Sequence, residues 1–114
     1  MRNRSGTVDE SYGYTDSLNK LIEALCRDFE RRERSMEGDF CSKRTAAEYQ
    51  YYNYRMLEGA MEIVGPAFAR LMILEIGSRV GYTRSKVDCM SESMYKIKKL
   101  ECKINMAKKL HLID

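Results

Sequence analysis

The chain of 114 residues has one proline, Pro66, one histidine, His111, and no apolar run longer than the four residues Leu71 to Leu74. With so little proline and no β-branched runs, while alanine, leucine, methionine, glutamate and lysine are plentiful, helix is expected throughout. A membrane-spanning helix needs about 20 apolar residues, so none is expected here. The start of the chain, with Arg2, Arg4 and Asp9, lacks an apolar signal-peptide core, which makes the expected location cytoplasmic and membrane-free. His111 has no acid or nucleophile at an interpretable offset. A Gly-rich phosphate loop, a Ser-centred elbow and a paired-carboxylate motif are also missing, so neither an enzyme nor a cofactor is expected. Glu58 and Glu62 stand one turn apart without a Glu-x-x-His partner, the pattern of a solvated acidic face. Cys26, Cys41, Cys89 and Cys102 are too widely spaced for a paired Cys-x-x-Cys zinc site, so no metal is expected and the thiols are read as reduced.

What is present reads as one domain, an all-α bundle of four to five helices over residues 15–114, behind a polar, flexible N-terminal arm over residues 1–14. Thr15 or Asp16 can cap a first amphipathic helix carrying Leu18, Leu21, Ile22, Leu25, Cys26 and Phe29. The charged tail from Arg27 to Glu37 is expected to continue it as a solvated rod. That rod would be braced by Asp28 with Arg32 and Glu30 with Arg34, and would end at Gly38. A second helix is predicted from Thr45, whose capping pattern is completed by Glu48, to Val64. It places Tyr49, Tyr52, Met56, Ala60 and Ile63 on one face and Tyr51, Tyr54, Glu58 and Met61 on the other. Gly65 reads as its C-terminal cap and Pro66 as the first residue of a third, central helix running to Val80. A fourth helix is predicted from about Arg84 through Val87, Met90, Met94, Ile97, Leu100, Ile104 and Ala107. Leu110, Leu112 and Ile113 then form an apolar tag for the core or a second subunit.

The junction of the third and fourth predicted helices has the offsets of a helix-turn-helix. Gly77 is small enough for a second helix to approach, Gly81 permits a tight turn with positive φ, and Thr83 is placed to cap the following helix. Ile76, Val80, Val87 and Met90 would close the angle between the two. In that arrangement Thr83, Arg84, Ser85, Lys86, Asp88 and Cys89, with Glu92 one turn on, would face a DNA major groove. Arg84 is the best candidate base reader, because its planar fork can bond both guanine acceptors, while Thr83 or Lys86 would grip phosphate. Asp88 and Glu92 run against that role, since a carboxylate on a groove-facing surface is repelled by the duplex unless it finds a cytosine amino group. A helical hairpin that packs for structural reasons alone accounts for the same spacing.

The residues Ile76, Gly77, Val80, Gly81, Tyr82, Thr83, Val87, Ile97, Lys98, Lys99 and Leu100 carry a resemblance. The stretch from Ile76 to Leu100 resembles the C-terminal, sigma region 4-like helix-turn-helix of sigma factors and of small transcriptional regulators from phages and mobile elements of Gram-positive bacteria. Such proteins share an Ile-Gly-x-x-x-Gly-Tyr-Ser type of turn and a recognition helix ending in Lys-Lys-Leu. The resemblance implies a small phage or mobile-element protein and leaves its partner open.

Charge is unevenly spread. Up to Gly65 there are ten lysines and arginines against twelve aspartates and glutamates, and from Pro66 onward ten against five. Lys96, Lys99 and Lys103 fall on one helical stripe and are candidates for phosphate contact, although a solvated stripe has the same pattern. A helix with tyrosines on opposite faces cannot bury all of them in so small a domain. Tyr51, Tyr54, Arg55 and Met61 are therefore candidates for a protein interface, unless the rings lie flat across neighbouring helix ends. Two readings follow. The first is a non-enzymatic DNA-binding regulator, with a possible homodimer matching half-sites. The second is a protein-binding module that uses the tyrosine-rich second helix and the acidic-arginine tail of the first, such as a phage-encoded inhibitor or adaptor of a host nucleoprotein complex, for example RNA polymerase or a defence nuclease.

Overall fold

In the computed structural model, residues 13–38, 41–87 and 90–113 are described, and they form helices without a β-strand. The helices are α1 (Asp16–Arg27), α2 (Phe29–Glu37), α3 (Lys43–Val64), α4 (Ala69–Ser78) and α5 (Glu92–Lys109), with a 3₁₀ turn at Tyr82–Arg84. This is the all-α bundle expected, with α1 and α2 separated by Asp28 alone. Of the arm predicted over 1–14, residues 1–12 lie outside the described residues. Tyr14 does not belong to a loose arm: its ring is fully buried and its hydroxyl donates to Asn19 Oδ1 at 3.2 Å.

α4 is central, as its composition predicts, and packs against α1, α2 and α3. Met72, Ile73 and Ile76 are buried there against Ile22 and Cys26 of α1, Phe29 of α2, and Met56 and Ala60 of α3; Cys102, Met106 and Ala107 of α5 complete the core. Gly77 is essential to this arrangement. A Cβ at that position would stand 2.7 Å from the Arg27 backbone nitrogen, so the helix admitted by the missing side chain is α1, not the helix that follows α4. Burial pushes the Cys26 thiol above its ordinary range and the Cys102 thiol up to about 12, leaving two inert free thiols. Cys89 lies outside the described residues.

Several boundaries differ from the expectation. Thr15 does cap α1, accepting from the Leu18 amide, and Gly65 ends α3 at φ 86. α3 starts at Lys43, however, because Ser42 accepts the Thr45 amide and thereby takes the capping role assigned to Thr45. Pro66 lies in a turn, and α4 begins at Ala69. The charged tail is not a solvated rod. Phe29 and Arg32 are buried in α2, where Arg32 donates to Asn53 Oδ1 and to the Leu25 carbonyl, both at 2.6 Å, and Asn53 in turn donates to the Phe29 carbonyl. Desolvation draws the Arg32 pKa down, and these acceptors compensate a buried cation. Asp28 meets Arg31 rather than Arg32, and Glu30 meets Arg70 of α4. The terminal apolar tag divides: Leu110 is buried, Ile113 partly so, and Leu112 is exposed.

Candidate interaction surfaces

The connection from α4 to α5 holds most of the predicted DNA-facing residues, and its shape follows from one buried acid. Glu75 is the one carboxylate of α4, set between Leu74 and Ile76, and is only 5% exposed. A buried carboxylate requires donors. Its Oε1 accepts from the Ser85 hydroxyl at 2.6 Å and the Tyr95 hydroxyl at 2.8 Å, and its Oε2 from the Lys86 amide at 2.7 Å. Ser85 Oγ also accepts the Val87 amide at 2.9 Å, which brings Val87 into the core. Tyr82 donates to the Met90 carbonyl at 3.0 Å and packs on the Tyr95 ring. Burial, followed by the hydrogen bond to Glu75, pushes the Tyr95 phenol up to about 12.

These bonds reassign the turn signals. The left-handed residue is Arg79, at φ 58, whereas Gly81 is extended at φ −88. Residues Tyr82 to Arg84 make only a 3₁₀ turn, and α5 begins at Glu92 under a Ser91 cap, not at Arg84 under Thr83. Apolar spacing conceals this, because Val87 and Met90 continue the period of α5 backward, while Glu75 holds Ser85 and Lys86, with Ser85 extended at φ −71 and ψ 145. Thr83, Arg84 and Lys86 remain exposed, but Ser85 is committed to Glu75 and partly buried. Asp88 and Cys89 lie outside the described residues.

The lysine stripe divides in the same way. Lys96 is exposed and pairs with Glu92 at 3.2 Å. Lys99 reaches back to donate to the Val80 carbonyl at 2.7 Å and lies over the Tyr95 ring. Lys103 is 3% exposed, with its ammonium 3.8 Å from Glu23 of α1. Burial draws both the Lys99 and Lys103 pKa values downward. The solvated-stripe expectation therefore fails for Lys99 and Lys103, which bind α5 to the rest of the fold.

On α3 the residues proposed for a protein interface are brought together on the outer face. Tyr51, Tyr54 and Met61 are 40%, 64% and 41% exposed, and Arg55 is partly buried, with its guanidinium over the Tyr51 ring. Tyr51 and Tyr52 meet edge to face, and Arg31 and Arg32 lie over Tyr49 and Tyr52. Arg55 approaches Glu58 Oε1 only to 3.8 Å, and that buried oxygen has no hydrogen bond. Glu62 is anchored by Lys109 at 2.6 Å and by Asn105 at 2.9 Å, which draws its pKa down. The acidic pair on α3 thus serves as an anchor for α5 rather than as a freely solvated face.

Sequence reading missed Glu75, Arg32 and Arg79. The signal for Glu75 was present: a lone acid between apolar residues of a central helix must find donors. Arg79 gave none, because the left-handed position usually falls to glycine or asparagine. Among the described residues, no group of three His, Cys, Asp or Glu side chains is placed to hold a metal ion, and no helix is long and apolar enough to cross a membrane. No protein-family model matches the chain, nor does any curated protein or solved structure.

Proposed function

We propose that this chain is a non-enzymatic protein-binding module that engages its partner through the outer face of α3. The observation that carries the reading is the exposure of Tyr51, Tyr54 and Met61 together on one side of a long, well-anchored helix. Tyrosine offers apolar area at low cost in rotamer freedom, methionine adapts its shape to an irregular partner, and arginine beside them supplies a directional charge. The scaffold beneath is rigid, because Asn53, Met56 and Ala60 on the inner face of α3 are buried. A partner would therefore meet a surface that needs little ordering on association.

The test combines partner capture in the native host with two sets of variants. Tyr51→Ala with Tyr54→Ala should abolish a specific capture while leaving thermal unfolding nearly unchanged, and Arg84→Ala with Lys86→Ala should not affect it. Capture that survives the tyrosine changes sinks the reading.

The DNA-binding reading retains one favourable observation: Thr83, Arg84 and Lys86 stay exposed on a connection whose backbone Glu75 holds in place. As a regulator of the kind that the stretch from Ile76 to Leu100 resembles, the protein would show duplex binding that weakens steeply with salt and is lost in the Arg84→Ala, Lys86→Ala double variant.

A further inference from the structure

A groove of about 460 Å³ runs between α1, the end of α4 and α5, and it collects charge from all three. Lys20 comes from α1, Arg79 from the left-handed cap of α4, and Lys96, Lys99 and Lys103 from α5; among the described residues the carboxylates lining it are Asp16 and Glu23. Asp16 pairs with Lys20 at 3.5 Å at the rim, and Lys96 has Glu92 as an outside partner. Glu23 is shared three ways and satisfies none of its donors closely. Asn19 Nδ2 stands 3.4 Å away, the Arg79 guanidinium 3.6 Å and the Lys103 ammonium 3.8 Å. Charge-assisted hydrogen bonds are ordinarily about 2.7–2.9 Å long. Lys103 is thus more than nine-tenths buried, lines the groove, and meets Glu23 at 3.8 Å, longer than a close charge-assisted bond. Its positive charge stands where the groove meets the core.

The outer wall is differently disposed. Arg79 and Lys96 are 70% and 63% exposed in their side chains and free to turn toward a guest. A planar arginine fork and several point-charge lysines, converging from separate helices on a concave site with an excess of positive charge, suit a tetrahedral polyanion better than a planar monoanion. We propose that this groove binds a phosphate group, carried either by a small phosphate ester or by a nucleic-acid backbone. The site shares no residue with the α3 face and does not depend on it. Lys20 and Arg79 extend it beyond the lysines of α5 that the sequence placed on one stripe.

The experiment is calorimetric titration of the full chain with inorganic pyrophosphate at low salt. Saturable binding is expected. Arg79→Gly and Lys96→Gln should each weaken it about tenfold, the scale of one charge-assisted contact. Arg79→Gly is the cleaner variant, because glycine accepts the left-handed backbone at that position. Glu23→Gln removes the competing carboxylate and should tighten binding. Displacement of pyrophosphate by a short DNA duplex would assign the phosphate to a nucleic-acid backbone, and displacement by a nucleoside monophosphate alone would assign it to a small molecule. Absence of saturable binding overturns the proposal, as does pyrophosphate affinity unchanged in both Arg79→Gly and Lys96→Gln.

Discussion

The connection between α4 and α5 and the outer face of α3 are built from the same residue types, and they have opposite relations to solvent. Each combines tyrosine, a basic residue and glutamate: Tyr82, Tyr95, Lys99 and Glu75 in the first, Tyr51, Tyr54, Arg55 and Glu58 in the second. In the connection the polar atoms meet at close range, with Tyr95 and Ser85 on Glu75 and Lys99 on the Val80 carbonyl. On the outer face of α3 Arg55 comes no nearer to Glu58 than 3.8 Å, and the Tyr54 ring is 64% exposed. Composition therefore does not separate a fastening from a surface that faces outward. What separates them is whether the polar groups find partners within the chain, because burial without partners carries a penalty that exposure avoids.

The comparison breaks most sharply at Glu75. Glu75→Ala strands the Ser85 and Tyr95 hydroxyls and the Lys86 amide around an apolar side chain, and should lower stability by about 3 kcal/mol in urea unfolding. Protection of the Lys86 amide against hydrogen exchange should fall with it. An effect below about 1 kcal/mol would mean that the connection is not held by this carboxylate. Next in size is Tyr95→Phe, which removes one buried hydrogen bond and should remove about 1.5 kcal/mol. It also has a pH signature. The phenol is raised in the folded protein to about 12, and an unfolded tyrosine ionises near pH 10. The stabilisation is complete below about pH 10 and is lost as the pH climbs through about 12. The gap in stability between the parent chain and Tyr95→Phe should shrink over that interval.

The same contrast explains what could be read in advance. Apolar periodicity is a property of single helices, so α1, α3, the central α4 and the body of α5 were legible, as were the Thr15 and Gly65 caps. The grouping of Tyr51, Tyr54 and Met61 away from the core was legible for the same reason. Interactions between helices were not. Gly77 announces a close approach without saying which helix makes it, and Lys99 and Lys103 have the spacing of a solvated stripe although their partners lie on other elements. The extended backbone at Ser85 was hidden because its cause, Glu75, lies ten to eleven positions away from the groups it holds.

A smaller effect of opposite sign is expected at Arg79, where α4 ends in a left-handed residue with a side chain. Its ion pair with Glu23 is 3.6 Å long and the arginine is 70% exposed, so the pair adds little. Arg79→Gly should therefore stabilise the fold, by about 0.5–1 kcal/mol, through relief of backbone strain. Thermal melts of the variant should shift upward. A downward shift would show that Glu23 depends on Arg79 more than the geometry indicates.

The least perturbing change is Tyr54→Phe, and it completes the comparison with Tyr95→Phe because one hydroxyl is removed in each. Tyr95 is 1% exposed and its hydroxyl is bonded inside the protein, whereas most of the Tyr54 side chain lies in solvent. Removing a solvated hydroxyl leaves no buried partner stranded, so Tyr54→Phe should change stability by less than about 0.5 kcal/mol. If the outer face of α3 receives a protein, the same substitution should weaken that association to the extent that the hydroxyl bonds across the interface, while Tyr54→Ala should weaken it further by removing the ring. A Tyr54→Phe variant as unstable as Tyr95→Phe would place the Tyr54 hydroxyl among the internal fastenings and erase the difference between the two regions.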